Sequence, residues 1–182
     1  MGKWLWGGAA VIATIGGIAM IWEPLAAEKG APPPAKKYDV EIVRDNFGVP
    51  HINGKTDADA AYGLAFAHAE DDFSTIEEVV SMTRGRYGAI AGQDGAQVDF
   101  VFHLLGVRDT VDQRFEEIPA DVRAVLDAYA AGLNHYAEKH PEEVRLSNLF
   151  PVNGKDIVAG FVLRAPFFYG LDNYISTLVE GK

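Results

Sequence analysis

The stretch Tyr38 to Arg86 constrains the chain most, above all its opening run Tyr38-Asp-Val-Glu-Ile-Val-Arg-Asp-Asn-Phe-Gly-Val-Pro-His-Ile-Asn53. Val40 and Ile42 alternate with their neighbours as a half-buried strand does, Asp45-Asn-Phe-Gly48 supplies turn chemistry, and Val49 to Ile52 returns to extended chain. The reading is strand, turn, strand. A long helix is predicted to begin near Thr56, with Thr56 and Asp59 as the two halves of a capping box, and to end near Gly85. Tyr62, Phe66, Ala69, Phe73, Ile76 and Val80 recur at spacings of four and three, which places them on one face.

Further along, Arg86 to Gln97 is rich in glycine and reads as a loop. It lacks the Gly-Lys-Ser/Thr that a phosphate cradle needs. Asp99 to Leu105 starts a helix expected to continue through Val107, Val111 and Phe115. Pro119 is placed as the first residue of the next helix, whose stripe is Val122, Val125, Leu126, Tyr129, Ala130, Leu133 and Tyr136 and which His140-Pro141 stops. Glu142 to Gly154 reads as loop. Asp156 is expected to cap a last helix carrying Ile157, Phe161, Val162, Phe167, Phe168 and Tyr169, with Pro166 forcing a kink or break. That helix carries more large apolar residues than one small core needs, so the surplus should face a partner or a ligand.

Ahead of this body, Lys3 precedes nineteen uncharged residues, Trp4 to Trp22. They would span about 28 Å as a helix at ~1.5 Å per residue, near the ~30 Å hydrocarbon core of a bilayer. Residues 1–28 therefore read as an export signal, either cleaved or retained as an inner-membrane anchor through residues 4–22, and the protein as periplasmic or secreted. Residues 29–37, with three consecutive prolines, read as an extended linker, and residues 38–182 as the folded domain. The formal charge is −10; residues 1–37 carry four lysines and two glutamates, so the domain carries −12. Such an acidic body disfavours nucleic acid as a partner. With no cysteine there is neither a disulfide nor a thiol nucleophile.

Side chains capable of chemistry are sparse. His68, Glu70, Asp71 and Asp72 are close in sequence, but no His-Glu-x-x-His is present and His68 with Asp72 lacks an identifiable third ligand; a solvated or salt-bridged acidic helix face accounts for them. His51 reads as a structural histidine fastening the turn. Ser74, Ser81, Ser147 and Ser176 lack the Gly-x-Ser-x-Gly of a nucleophile elbow. From these residues alone no side chain is assigned as a metal ligand or as a nucleophile.

Three motifs in order, Glu41-Ile-Val-Arg-Asp-Asn-Phe-Gly-Val-Pro-His-Ile52, Tyr62-Gly-Leu-Ala-Phe-Ala-His-Ala-Glu-Asp71 and Thr83-Arg-Gly-Arg-Tyr-Gly88, resemble the start of penicillin acylase family precursors. Ala128-Tyr-Ala-Ala-Gly-Leu-Asn134 and the last helix bring the likeness nearest to the α chain of acyl-homoserine lactone and lipopeptide acylases. The resemblance covers Tyr38 to about Gly181.

It implies an N-terminal nucleophile hydrolase whose precursor cuts itself. The catalytic serine opens a second, β chain from the same precursor, and its freed α-amine, titrating near ~7.7 to 8.0, acts as its base. The fold implied is α+β, with this chain the mostly helical α-subunit portion of a four-layer αββα sandwich and Tyr38 to Asn53 joining a sheet made largely by the β chain. Ser147-Asn148 echoes the Ser-Asn that opens such a chain, but the residues after it are too few to be one. By the same resemblance the last helix lines the acyl site, placing Ala165, Phe168 and Tyr169 at substrate-contacting positions with Phe161 and Phe167 nearby; packing against the catalytic chain is the other reading of these aromatics. The family's calcium-ligating glutamate falls near Ile175, where Asp172 substitutes only across a gap, so no cofactor is assigned to this chain and any calcium is left to the partner chain. The substrate implied is a small acyl amide, an acyl-homoserine lactone first and a β-lactam or lipopeptide side chain next. The alternative is a membrane-tethered helical scaffold or binding module with no catalytic partner.

Overall fold

The computed structural model describes residues 38–180; the predicted leader, residues 1–28, and linker, residues 29–37, lie outside the described residues. Two short strands, β1 (Val40–Arg44) and β2 (Pro50–Gly54), pair antiparallel in a register that sets Ile42 opposite Ile52 and Arg44 opposite Pro50. The Asp45 carboxylate holds the turn by accepting from the amides of Phe47 at 2.8 Å and Val49 at 3.0 Å. His51 lies against the same carboxylate at 3.4 Å.

These backbone donors, led by Phe47, hold the Asp45 carboxyl below its ordinary value. A group depressed on folding contributes stability that is present above its unfolded pKa and is lost as pH falls through the folded one. Exchange of the Phe47 and Val49 amides is therefore expected to accelerate only below the ordinary carboxylate range, and the Asp45→Asn variant should lose that pH dependence.

Six helices follow: α1 (Asp57–Met82), α2 (Gly88–Leu104), α3 (Val107–Arg114), α4 (Ala120–Lys139), α5 (Gly154–Phe168) and α6 (Leu171–Glu180). The Thr56–Asp59 capping box opens α1 as the sequence indicates, and Asp59 also accepts from the amide of Asp39, tying the hairpin to the helix start. Arg44 makes the second tie. It donates to the Ala67 carbonyl and ion-pairs Glu70 at 3.0 Å and Asp71 at 2.9 Å, so the acidic helix face is salt-bridged.

The main core lies where α1 crosses α4: Ala65, Ala69, Phe73, Ile76 and Val80 meet Ala130, Leu133, Tyr136 and Ala137, closed by Leu149 and Val152. Gly132 permits the crossing, because a Cβ there would stand 2.4 Å from the Tyr62 carbonyl oxygen. Two positions on, the Asn134 amide donates to the Val152 carbonyl at 2.8 Å and accepts from its amide at 2.7 Å, fastening the 147–153 segment to α4. A second cluster, Phe102, Val107, Val111, Phe115 and Ala159, joins α2 and α3 to α5.

Several boundaries differ from the sequence reading. The first helix stops at Met82 rather than near Gly85. Arg86 to Gln97 is not a loop: α2 begins at Gly88 and is broken only at Gly92, whose φ is +64°. The helix expected to run from Asp99 through Phe115 ends at Leu104 and restarts after Gly106. Pro119 is the cap residue of α4, not its first residue, and Val122 faces solvent instead of the core. Asn153, not Asp156, caps α5; its side chain accepts from the amides of Lys155 and Asp156, while Asp156 answers from the third helical position. Pro166 leaves α5 unbroken to Phe168, and the turn comes at Gly170.

With one two-stranded sheet and six α-helices among the described residues, the chain is α+β and mostly helical. No helix among the described residues is long and apolar enough to cross a membrane.

Candidate functional site

Helices α1, α2, α4 and α5 leave between them a groove of about 1740 Å³ with an apolar lining. Val79 of α1, Phe100 and Leu104 of α2, Tyr129 of α4 and Phe161 and Phe167 of α5 are among its walls. Several of these side chains stand largely in solvent: Phe100 is 66% exposed, Leu104 64% and Phe161 70%. Small-ligand pockets run to ~300–1,000 Å³ and bury most of their ligand, so this groove is larger than one small molecule fills. Exposed apolar surface on that scale marks a binding face.

The structure divides the five residues that the sequence places at the acyl site. Phe161 and Phe167 line the groove. Ala165, Phe168 and Tyr169 do not appear in its wall; Phe168 and Tyr169 are 78% and 87% exposed, and the Phe168 ring lies 5.7 Å from the Arg164 guanidinium. The wall contributed by α1 and α2 was absent from the sequence candidates. Phe100 and Leu104, one helical turn apart, carried the signal, but the segment ahead of them read as loop.

Polar groups enter the groove at a few points. His68 Nδ1 and the Tyr129 hydroxyl lie 2.9 Å apart across α1 and α4, and burial pushes the Tyr129 phenol above its ordinary value. At the first turn of α5, the Asp156 carboxylate is buried yet ion-paired to Arg84, in the link after α1, at 2.8 Å and to Arg108 of α3 at 3.1 Å. None of these makes a nucleophile and base. The Ser81 hydroxyl donates to the Glu78 carbonyl, Ser74 and Ser147 are exposed, and among the described residues no serine hydroxyl is bonded to a histidine.

For a cation, the described residues offer one group of three, His140, Glu142 and Glu143, whose ligand atoms lie within 4.8 Å of one another. Glu143 already accepts from the Tyr136 hydroxyl at 3.0 Å. Asp172 lies elsewhere, at the groove, outside that group.

The family model for penicillin amidase matches residues 39–163. Among curated proteins, a penicillin acylase 2 proenzyme from a Pseudomonas strain is 32% identical over 103 residues, covering 57% of this chain and 13% of the relative. An acyl-homoserine lactone acylase PvdQ from Pseudomonas putida is 30% identical over 129 residues, covering 66% of this chain and 17% of the relative. The chain thus spans less than a fifth of these relatives' length. Among solved structures, a thermostable penicillin G acylase from Alcaligenes faecalis superposes with a TM-score of 0.58 at 24% identity, over 70% of this chain and 72% of that one.

Proposed function

The chain belongs to the penicillin amidase family, and on that premise we propose that it is the α subunit of a heterodimeric acylase that hydrolyses an amide, releasing a carboxylic acid from an amine. In this reading the catalytic serine opens a partner β chain of the same precursor. Its α-amine takes the hydroxyl proton as the hydroxyl attacks the amide carbonyl, then returns a proton to the leaving amine. Water completes the cycle by releasing the acid. The present chain supplies scaffold and part of the acyl-binding wall.

One observation carries the reading: an open apolar groove between α1, α2, α4 and α5 in a chain that matches the penicillin amidase family model. Partner and acyl group together account for its size. The aliphatic and aromatic lining favours an apolar acyl group, acyl-homoserine lactones first and β-lactam or lipopeptide side chains next.

The hairpin supports the partner in a second way. A two-stranded sheet is marginal by itself, and β1–β2 leaves Val43, Phe47 and Val49 exposed at its turn end. We infer that its edge joins the β chain's sheet, completing the αββα sandwich. Export to the periplasm belongs to the same proposal and rests on the Trp4 to Trp22 run.

The test is to purify the polypeptide with whatever binds it, determine the partner's first residue, and assay a panel of acyl amides. A long partner beginning with serine, together with release of a carboxylic acid, is expected; a lone polypeptide that cleaves none of them would overturn the reading. Expressed alone, residues 38–182 are expected to bind a hydrophobic dye and to melt over a broad range. A sharp cooperative melt of the isolated chain would count against the need for a partner.

A further inference from the structure

Helix α5 is held at one end. Its first turn is fixed by the Asn153 cap, by the Gly154 amide on Asp127 at 3.1 Å, by Lys155 on Asp112 at 2.8 Å, and above all by Asp156. That carboxylate is 1% exposed and takes four bonds: from Arg84 Nε at 3.1 Å and its terminal nitrogen at 2.8 Å, from Arg108 at 3.1 Å, and from the Asn153 amide at 2.9 Å. Arg84 also donates to the Pro151 carbonyl at 2.8 Å. One carboxylate thus joins the chain just after α1, helix α3, the segment before α5 and α5 itself.

The far end has no such hold. From Ile157 to Phe168 the only charged side chain is Arg164, which lies over Phe168 of its own helix, and no ion pair leaves this segment among the described residues. Val158, Val162 and Leu163 pack on the second core cluster, while Phe161 and Phe167 stand in the groove. From Asp156 to Phe167 is eleven residues, about 16 Å of helix at ~1.5 Å per residue. A tilt of about 4° at the root moves Phe167 by about 1 Å, and a misplacement of that size can cost ~100-fold in an enzyme site.

We propose that Asp156, gripped by Arg84 and Arg108, is a positioning residue: it sets the angle of α5 and through it the acyl-length selectivity of the groove. This deepens the acylase reading and rests on it.

The experiment uses the assembled two-chain protein with two readouts. One is hydrogen exchange along α5. The other is kinetics on p-nitroanilides of butanoic, octanoic and dodecanoic acid. Asp156→Asn, which keeps the side-chain shape, is expected to speed exchange of residues 161–169 about ten-fold while α4 stays unchanged. KM for the dodecanoyl amide should rise about ten-fold more than KM for the butanoyl amide.

Arg108→Gln should move both readouts the same way by less, and Arg108→Lys should return them toward wild type. Arg108 is partly exposed, so its variants carry the test if Asp156→Asn does not assemble. Exchange that rises equally in α4 and α5, or kcat that falls alike for every acyl length with KM unchanged, overturns the proposal. If the wild-type assembly cleaves no acyl amide, the acylase reading fails and selectivity fails with it; the exchange pattern still decides whether Asp156 positions α5.

Discussion

Replacing Arg145 by methionine is expected to destabilise the assembled protein by ~3–5 kcal/mol, more than replacing its partner Glu77 by glutamine. Glu77 lies on α1 with its side chain entirely buried, accepting from Arg145 Nε at 2.6 Å and from the Leu146 amide at 2.8 Å. Without Arg145 the carboxylate keeps only the Leu146 bond in a place that water does not reach. Glu77→Gln retains the shape and at least one of the two bonds, and the guanidinium it leaves behind is 40% exposed and still meets Glu78 at 3.2 Å and the Ser74 carbonyl at 2.8 Å. Its cost should therefore stay near ~1–2 kcal/mol. Denaturant midpoints of the two single variants and the double variant measure this. The double variant should cost clearly less than the sum of the singles, because neither charge is then stranded. Equal, small losses for both singles would mean that the 144–149 segment is held by packing alone.

The same residues show what kind of information a sequence carries. Thr56 and Asp59 were legible because both partners of the capping box lie within one helical turn, and the stripe from Ala69 to Val80 was legible because burial on one face enforces a period. Ala128-Tyr-Ala-Ala-Gly-Leu-Asn134 could be seen as a motif, yet its reason lies elsewhere in the chain: Gly132 admits the Tyr62 carbonyl and Asn134 fastens Val152. Neither contact follows from local pattern.

The first half of helix α2 was missed for a similar cause. Its start is held by the Asp99 carboxylate, eleven and twelve residues downstream, which accepts from the amides of Tyr87 at 2.7 Å and Gly88 at 2.8 Å. A cap supplied from the far side of the break at Gly92 lends the glycine-rich run a helical form that propensity alone would not predict. The groove was half visible. Excess aromatics on α5 pointed to a binding face, but the stripe on α1 marked Val80, buried in the core, and passed over Val79, which stands exposed in the groove wall. The Glu77–Arg145 and Asp156–Arg84 pairs, sixty-eight and seventy-two residues apart, lie beyond any local reading.

Truncating Phe161 or Phe167 to alanine in the assembled enzyme is expected to shift preference toward longer or bulkier acyl groups. Each ring stands in the groove wall, so removing it empties apolar volume where an acyl chain would lie. Apolar pockets discriminate by ~1–3 kcal/mol per small group, or ~10–200-fold in kcat/KM between neighbouring substrates. Phe168→Ala and Tyr169→Ala are the comparison. Both side chains project into solvent off the groove and are expected to change overall activity or assembly while leaving the chain-length profile in place. The four profiles, measured on one series of acyl amides, separate two uses of the α5 aromatics. A shift confined to Phe161 and Phe167 puts the acyl group in the groove between α1, α2, α4 and α5. A shift confined to Phe168 and Tyr169 moves it to the outer face of α5, leaving the groove to the partner chain. Unchanged profiles in all four would assign every one of these rings to packing and remove the acyl-binding role from this chain.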